Sequence, residues 1–184
     1  IIGPQSSSVS HFVAIMGGAT KVPIVSFAAT DPALSEFQYP YFFRIAHSDA
    51  LQMEAIASFI AYYGWRQVIA IYTDDDFGTN AITSLGDALE NLGSHIIQKA
   101  ALLPSSNNTM IGTILSNLAS TQTRIFVVHM PQYLAFSLFS EAKYLGMMSA
   151  GYVWIVSDST IGTLNSSNLE DHNFGALQGV IGTR

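Results

Sequence analysis

Ile1-Ile2-Gly3-Pro4-Gln5-Ser6-Ser7-Ser8-Val9-Ser10 opens the chain, and the rest of the sequence repeats its theme. An apolar strand end runs into Gly3-Pro4, then three serines, then a helix-like apolar pattern at Val9, Phe12, Val13 and Met16. A strand that hands over to a helix through small hydroxyl residues presents free backbone N–H groups and side-chain O–H donors at one point. That is a seat for a carboxylate or phosphate. The arrangement recurs where Pro23-Ile24-Val25-Ser26-Phe27 breaks at Ala28-Ala29-Thr30-Asp31-Pro32. Two such crossings on adjacent parallel strands point to a small-molecule cleft.

Working outward, apolar runs of strand length alternate with helical patterns along the whole chain. Strands are expected at residues 22–27, 67–72, 95–101, 124–129 and 152–156, most of them rich in Val and Ile. Apolarity on both faces suits a parallel sheet covered on both sides. Helices are expected at 49–63, capped by Ser48, with Met53, Ile56, Ala57 and Ile60 inward, and at 79–92, with Ile82, Leu85, Leu89 and Leu92 inward and Gly93 as the stop. Helix 109–120 would bury Ile111, Ile114, Leu115 and Leu118. Helix 131–145, with Pro131 in its first turn, would bury Leu134, Leu138 and Leu145. Tyr39-Pro40-Tyr41-Phe42-Phe43-Arg44 reads as a strand leading into a crossover, and residues 177–182 as a last strand. The order predicts an α/β fold with doubly wound, mostly parallel sheets, whose ligands sit outside the carboxyl ends of the strands. The division between its two parts is expected near residue 47, giving 1–47 and 48–184.

Composition excludes several classes. Of 184 residues, 49% are hydrophobic and only 11% charged, which is the composition of a packed chain and not a disordered one. A net charge of −6, with seven Lys and Arg unclustered, argues against nucleic-acid and anionic-membrane surfaces. No cysteine is present, so disulfides and thiolate metal sites are excluded, and the five histidines lack metal-ligand spacing. No apolar run reaches the length of a membrane span. Two sequons, at Asn107 and Asn165, lie in polar loops where a glycan would be accommodated.

Several residues at strand ends have two compatible roles. Ser6, Ser7, Ser8 and Thr30 either cap helices or bind a ligand carboxylate. Asp49 either complements its helix dipole, worth ~0.3–1 kcal/mol, or accepts hydrogen bonds from a ligand ammonium. Asp74-Asp75-Asp76 lacks the alternation of a calcium loop and reads as a helix-capping turn; the alternative is that Phe77, at the strand's carboxyl end, faces a ligand across the cleft. Asp158, after the strand ending at Val156, either caps a turn or binds an amine. No nucleophile elbow, phosphate loop or dinucleotide fingerprint is present, so catalysis has no positive support.

Ile2-Gly3-Pro4-Gln5-Ser6-Ser7-Ser8, the segment Ser26 to Ser35, Phe43-Arg44 with Ser48-Asp49, and Tyr63-Gly64-Trp65 together resemble the type I periplasmic-binding-protein domains. That group includes the extracellular ligand-binding regions of natriuretic-peptide, metabotropic glutamate and ionotropic glutamate receptors. Phe27-Ala28-Ala29-Thr30-Asp31-Pro32, Gln38-Tyr39-Pro40, Tyr62 to Arg66 and Asp74 to Gly78 are most similar to plant glutamate receptor-like channels. The resemblance runs over essentially the whole chain.

The resemblance implies a bilobed clamshell, incomplete at both ends, with 1–47 in the first lobe and 48–184 most of the second. It implies that Ser7 contacts a ligand carboxylate, that Ala28 and Thr30 hold the ligand's backbone groups, and that Asp49 and Asp158 flank its ammonium. Phe77 stands where amino-acid-binding relatives often place Tyr, so stacking remains and a hydroxyl contact is lost. It further implies an amino acid or small peptide as ligand, other receptor subunits as partners, no cofactor and no enzymatic step. The expected location is the extracellular side of the plasma membrane. The rivals are an assembly module with a vestigial cleft, a metabotropic-type receptor and a free-standing amino-acid-binding protein. With lobe-one faces left uncovered, the chain alone is expected to aggregate.

Overall fold

The computed structural model describes residues 1–161 and 177–183, which form two parallel sheets. Helix α1 (Ser7–Thr20) is followed by strands β1 (Ile24–Ser26) and β2 (Phe42–Arg44), which pair in parallel. Ile2 bridges Val25 in parallel on β1, so the opening segment does lie beside the second crossing. Gly3, at φ +101, turns the chain out of that bridge, a conformation that glycine adopts without a Cβ clash. The small sheet packs Ile24, Phe42, Ala29 and Leu34 against Ala14 of α1.

The large sheet begins after α2 (Asp49–Tyr62). Its elements are β3 (Gln67–Thr73), α3 (Asp76–Asn91), β4 (His95–Leu102), α4 (Asn108–Ala119), β5 (Ile125–His129), α5 (Gln132–Tyr144), β6 (Val153–Val156), α6 (Asp158–Ile161) and β7 (Val180–Gly182). Strand order is β4-β3-β5-β6-β7, parallel throughout. Side-chain alternation along the strands divides the core. Val68, Ala70, Val127 and Ile155 meet Met53, Ile56 and Ile60 of α2 and Ile82, Leu85 and Leu89 of α3. Ile69, Ile71, Phe126, Val128, Trp154 and Val156 meet α4 and α5 on the other face. Trp154 stacks on Phe126 at 4.4 Å and donates its indole N–H to the Met147 carbonyl.

Most of the expected elements lie within a few residues of their observed bounds, and Ser48 caps α2 by accepting from the Ala50 N–H. Two expectations are corrected, one for β4 and one for Leu92 and Leu145. In α1, Val9, Phe12 and Met16 face solvent, with Phe12 66% exposed, while Ser7, Ser10, Ala14 and Gly17 face inward. A Cβ on Gly17 would lie 2.4 Å from Ile24 Cδ1, so only a small-residue face lets α1 approach β1 this closely. Strand β4 lies at the sheet edge and is largely exposed, not covered on both sides. Leu92 and Leu145 follow their helices and stand partly exposed instead of completing the buried stripes.

Gly78 makes the sharpest demand on sequence. It sits in the first turn of α3, where a Cβ would come within 2.1 Å of the Thr73 carbonyl oxygen, a backbone atom that cannot move aside. In Gly86, on the same helix, a Cβ would meet only Ile96 Cδ1 at 3.8 Å. Gly78→Ala is expected to destabilise by about 2–3 kcal/mol through overpacking. Gly86→Ala is expected to stabilise by about 0.5–1 kcal/mol through helix propensity. Chemical denaturation of the two variants side by side checks the pair, and equal midpoints would contradict the packing argument.

Candidate functional site

Strand order reverses between β3 and β5. The chain leaves β3 toward α3 on one face of the sheet and leaves β5 toward α5 on the other, so the two loops diverge. Crevices at such points are the usual ligand sites of open α/β sheets. The small sheet lies across this one and closes it into a cleft of about 620 Å³. One wall carries Gln5, Ser6, Ser7, Ala28, Thr30 and Asp49; the other carries Asp75, Phe77, Pro131, Gln132, Asp158 and Ser159. All six sequence-derived ligand candidates, Ser7, Ala28, Thr30, Asp49, Phe77 and Asp158, therefore line one cavity. Thr30, Asp49 and Asp158 also line a second cavity of about 480 Å³ with His47, Gln52 and Thr183.

Helix N-termini converge on the cleft from both walls. Ser48 and Asp75 cap α2 and α3 with side-chain hydrogen bonds, the latter to the Gly78 N–H at 2.8 Å. Neither α1 nor α5 has a side-chain cap, and both begin at residues lining the cavity, Ser6-Ser7 and Pro131-Gln132. The first-turn N–H groups of α1 and α5 give the cleft partial positive charge at each side. The Ser7 hydroxyl accepts a long hydrogen bond from the Asp31 N–H at 3.4 Å. The Ala28 N–H is held only loosely, 3.5 Å from the Ser26 hydroxyl.

Asp49 lies at the centre. Its N–H donates to the Thr30 carbonyl at 2.9 Å, and the neighbouring Thr30 side chain favours its ionised form. Oδ2 is buried without a hydrogen-bond partner. Burial, with the nearby charge of Asp31 and Asp158, pushes the Asp49 carboxyl up to about 6, against the opposing pull of Thr30 and Arg44. Behind it lies His129, the last residue of β5, fully buried and overlaid by the Phe77 ring at 4.2 Å. Burial pushes His129 down to about 3, so the ring is neutral at ordinary pH. Its Nε2 stands 3.7 Å from Asp49 Oδ2, also without a partner. The approach is not an ion pair, because the imidazole carries no charge.

Ser157, His129 and Asp49 thus come together although no local sequence context joins them. They do not make a nucleophilic site. The Ser157 hydroxyl is completely buried, 2.8 Å from His129 Nδ1, and no substrate can reach it. Reading the sequence missed His129, because Ile125-Phe126-Val127-Val128-His129 looks like a core strand to its end. It also missed the lining roles of Asp75, Pro131, Gln132 and Ser159. The position of each at a strand's carboxyl end was the available signal. Among the described residues no group of three or more His, Asp or Glu could hold a metal ion. Asn107 caps α4 through Oδ1, accepting from the Met110 N–H at 2.9 Å; the Asn165 sequon lies outside the described residues.

Fold and cleft define a ligand-binding domain of the receptor type. The family described as "Receptor family ligand binding region" matches residues 1–184, and the chain belongs to it. The chain is 44% identical over 184 residues to Glutamate receptor 3.4 of Arabidopsis thaliana, all of it matched to 19% of that protein. It is 40% identical over 185 residues to Glutamate receptor 3.1 of Oryza sativa subsp. japonica, again with full coverage of the chain and 20% of the relative. Glutamate receptor 2.7 of Arabidopsis thaliana is 38% identical over 184 residues, with 19% of its length covered. The chain spans about a fifth of the length of these relatives. No helix among the described residues is long and apolar enough to cross a membrane.

The two buried groups pull stability in opposite directions with pH. The folded chain binds a proton at Asp49 more tightly than the unfolded chain, whose carboxyl titrates near 3.8. Stability from this group is therefore present below pH 3.8 and lost as pH rises through about 6. His129 is neutral when folded but protonates near 6.5 when unfolded, so its contribution is lost as pH falls from 6.5 toward 3. Asp49→Asn removes only the first effect. It is expected to raise stability near pH 7.5 by on the order of 2–3 kcal/mol and to steepen the loss from pH 6.5 to 4. Denaturation midpoints across that range check both.

Proposed function

We propose that this chain supplies the hinge and much of the ligand cleft of the extracellular amino-terminal region of a plant glutamate receptor-like cation channel, binding an amino acid or small peptide. Residues 1–47 would complete one lobe of a clamshell and 48–184 most of the other, with hinge closure shifting channel populations. The observation that carries the reading is the gathering of an unpartnered, buried Asp49 oxygen and two uncapped helix N-termini in one cavity. An α-amino acid has the complementary pattern, an ammonium beside a carboxylate. Asp49 would take the ammonium, with Asp158 nearby; Ser7, Thr30 and the Ala28 N–H would take the carboxylate, and Phe77 would stack on the ligand. The chemistry asked of the site is binding and not catalysis.

Family membership supports placing the domain outside the plasma membrane, with other subunits of the receptor as partners and membrane segments elsewhere in the protein. Asn107 is exposed, and its cap uses only Oδ1, so Nδ2 is open to N-glycosylation. A second reading, an assembly module whose cleft binds nothing, draws on the exposed stripe Val9, Phe12, Ile15 and Met16 of α1.

Calorimetry with a panel of amino acids, on the complete amino-terminal region containing this chain, separates the two. Saturable heat is expected with at least one amino acid. Asp49→Asn should weaken it about 10- to 100-fold, the loss of a charged hydrogen-bond pair, and Ser7→Ala about 3- to 10-fold. No heat from any amino acid at pH 7.5 would sink the ligand reading and leave the assembly module.

A further inference from the structure

The polar groups behind the cleft wall make a row whose two ends reach the cavity, hydrogen-bonded as far as His129 and open between His129 and Asp49. The Ser159 and Ser157 hydroxyls are 2.9 Å apart, Ser157 Oγ is 2.8 Å from His129 Nδ1, and His129 Nε2 is 3.7 Å from Asp49 Oδ2. Ser159 and Asp49 line the cleft; Ser157 and His129 are completely buried between them. Phe77 covers the ring from the cavity side and excludes water from it.

The direction of this chain follows from its neighbours. Thr160 donates its hydroxyl proton to the Met130 carbonyl at 3.1 Å, so it competes with His129 Nδ1 for the Ser157 proton, and the 2.8 Å contact to Nδ1 against 3.3 Å to Thr160 favours the imidazole. If Nδ1 carried the imidazole proton, the Nε2 lone pair would face a carboxylate across 3.7 Å in a buried site. Two facing acceptors in a low-dielectric pocket repel, whereas an N–H facing a carboxylate is attracted. With Asp49 ionised, the favoured arrangement is Ser159 O–H to Ser157, Ser157 O–H to His129 Nδ1, and His129 Nε2–H toward Asp49.

We propose that His129 is a positioning residue of the cleft, its neutral ring locked by Ser157 as the Nε2–H tautomer so that it favours the ionised form of Asp49 and orients Oδ2. At 3.7 Å the N–H is an oriented dipole on the carboxylate and not a finished hydrogen bond, so Asp49 keeps freedom to meet a cationic group. The other groups facing Asp49 are Thr30, Arg44, Asp31 and Asp158. Asp31 and Asp158 disfavour the ionised form, and Thr30 and Arg44 favour it only in part against burial. The backbone of Phe77 is the remaining polar neighbour of the ring. The inference builds on the ligand reading above but concerns the empty protein.

The test is made without ligand, by NMR on protein carrying labelled imidazole nitrogens and Asp carboxyl carbons. At pH 7.5 the nitrogen shifts of His129 should show Nε2 protonated and Nδ1 bare. The Asp49 carboxyl should titrate near 6, as burial demands. In His129→Asn, which keeps a polar group only near the Nδ1 position, that midpoint should rise by about one pH unit. In His129→Gln, whose amide N–H reaches the Nε2 position, it should stay within a few tenths of wild type. A protonated Nδ1 at pH 7.5 in the wild-type protein overturns the proposal and requires no variant to fold. So does an equal Asp49 midpoint in the two variants. Amino-acid calorimetry then distinguishes the failures. Loss of binding heat with the tautomer as expected removes the ligand reading alone. Binding with a protonated Nδ1 removes the positioning role of His129 alone.

Discussion

Every strand of the large sheet runs in one direction, and that constraint makes the cleft. In a parallel sheet all carboxyl ends lie on one side, so every helix that follows a strand starts there. Strand order then decides which pair of neighbouring ends splays apart, and here it is β3 and β5. Asp75 and Phe77 follow the first, and Pro131 and Gln132 the second. None of these residues needs any special property to reach the cavity. Their positions follow from lying at the ends of those strands.

The small sheet has to be held over this opening, and Asp31 does much of that. It is fully buried and occupied on every side. His11 Nε2 meets Oδ2 at 2.6 Å, Asn80 of α3 donates to the same oxygen at 3.0 Å, and the Ala33 N–H donates to Oδ1 at 2.9 Å. Arg44 at the end of β2 donates to its backbone carbonyl at 2.6 Å. The Asn80 bond ties the loop after β1 to the first turns of α3, across the mouth of the cleft. A second tie runs from α2 to the same loop, where the Asp49 N–H donates to the Thr30 carbonyl at 2.9 Å. The cleft walls therefore meet through a few directional bonds and not through a broad apolar interface.

The order of elements was legible in the sequence because parallel strands buried on both faces read as Val/Ile runs, and helices with one buried face show the 3.6 period. The pattern of α1 left open which way the helix faces. Its close approach to β1 demands small residues, and Gly17 cannot carry a side chain there. A short inward stripe of Ser, Ala and Gly leaves no hydropathy signal. The cleft residues were legible as strand-end positions, and the resemblance placed Ser7, Thr30 and Asp49 ahead of simple capping. His129 was invisible for a different reason. A neutral buried imidazole at the end of a β-run behaves in sequence like one more core residue. Only the convergence of β5 with the start of α2 in space gives it Asp49 as a neighbour.

That neighbour carries a cost which argues for a role beyond structure. An acid opening a helix normally sits in water, where it stabilises the dipole cheaply. Asp49 is instead buried with one oxygen unsatisfied, and two further acids lie near enough to oppose its charge. Nothing about capping α2 needs this, because Ser48 already accepts from the Ala50 N–H. A protein that gained only stability from position 49 would be better served by a neutral amide. In the reading proposed above, a cationic group bound in the cleft would offset this cost by pairing with the Asp49 carboxylate. The same features that weaken the empty fold would then become binding energy, as expected where stability and function compete at one residue.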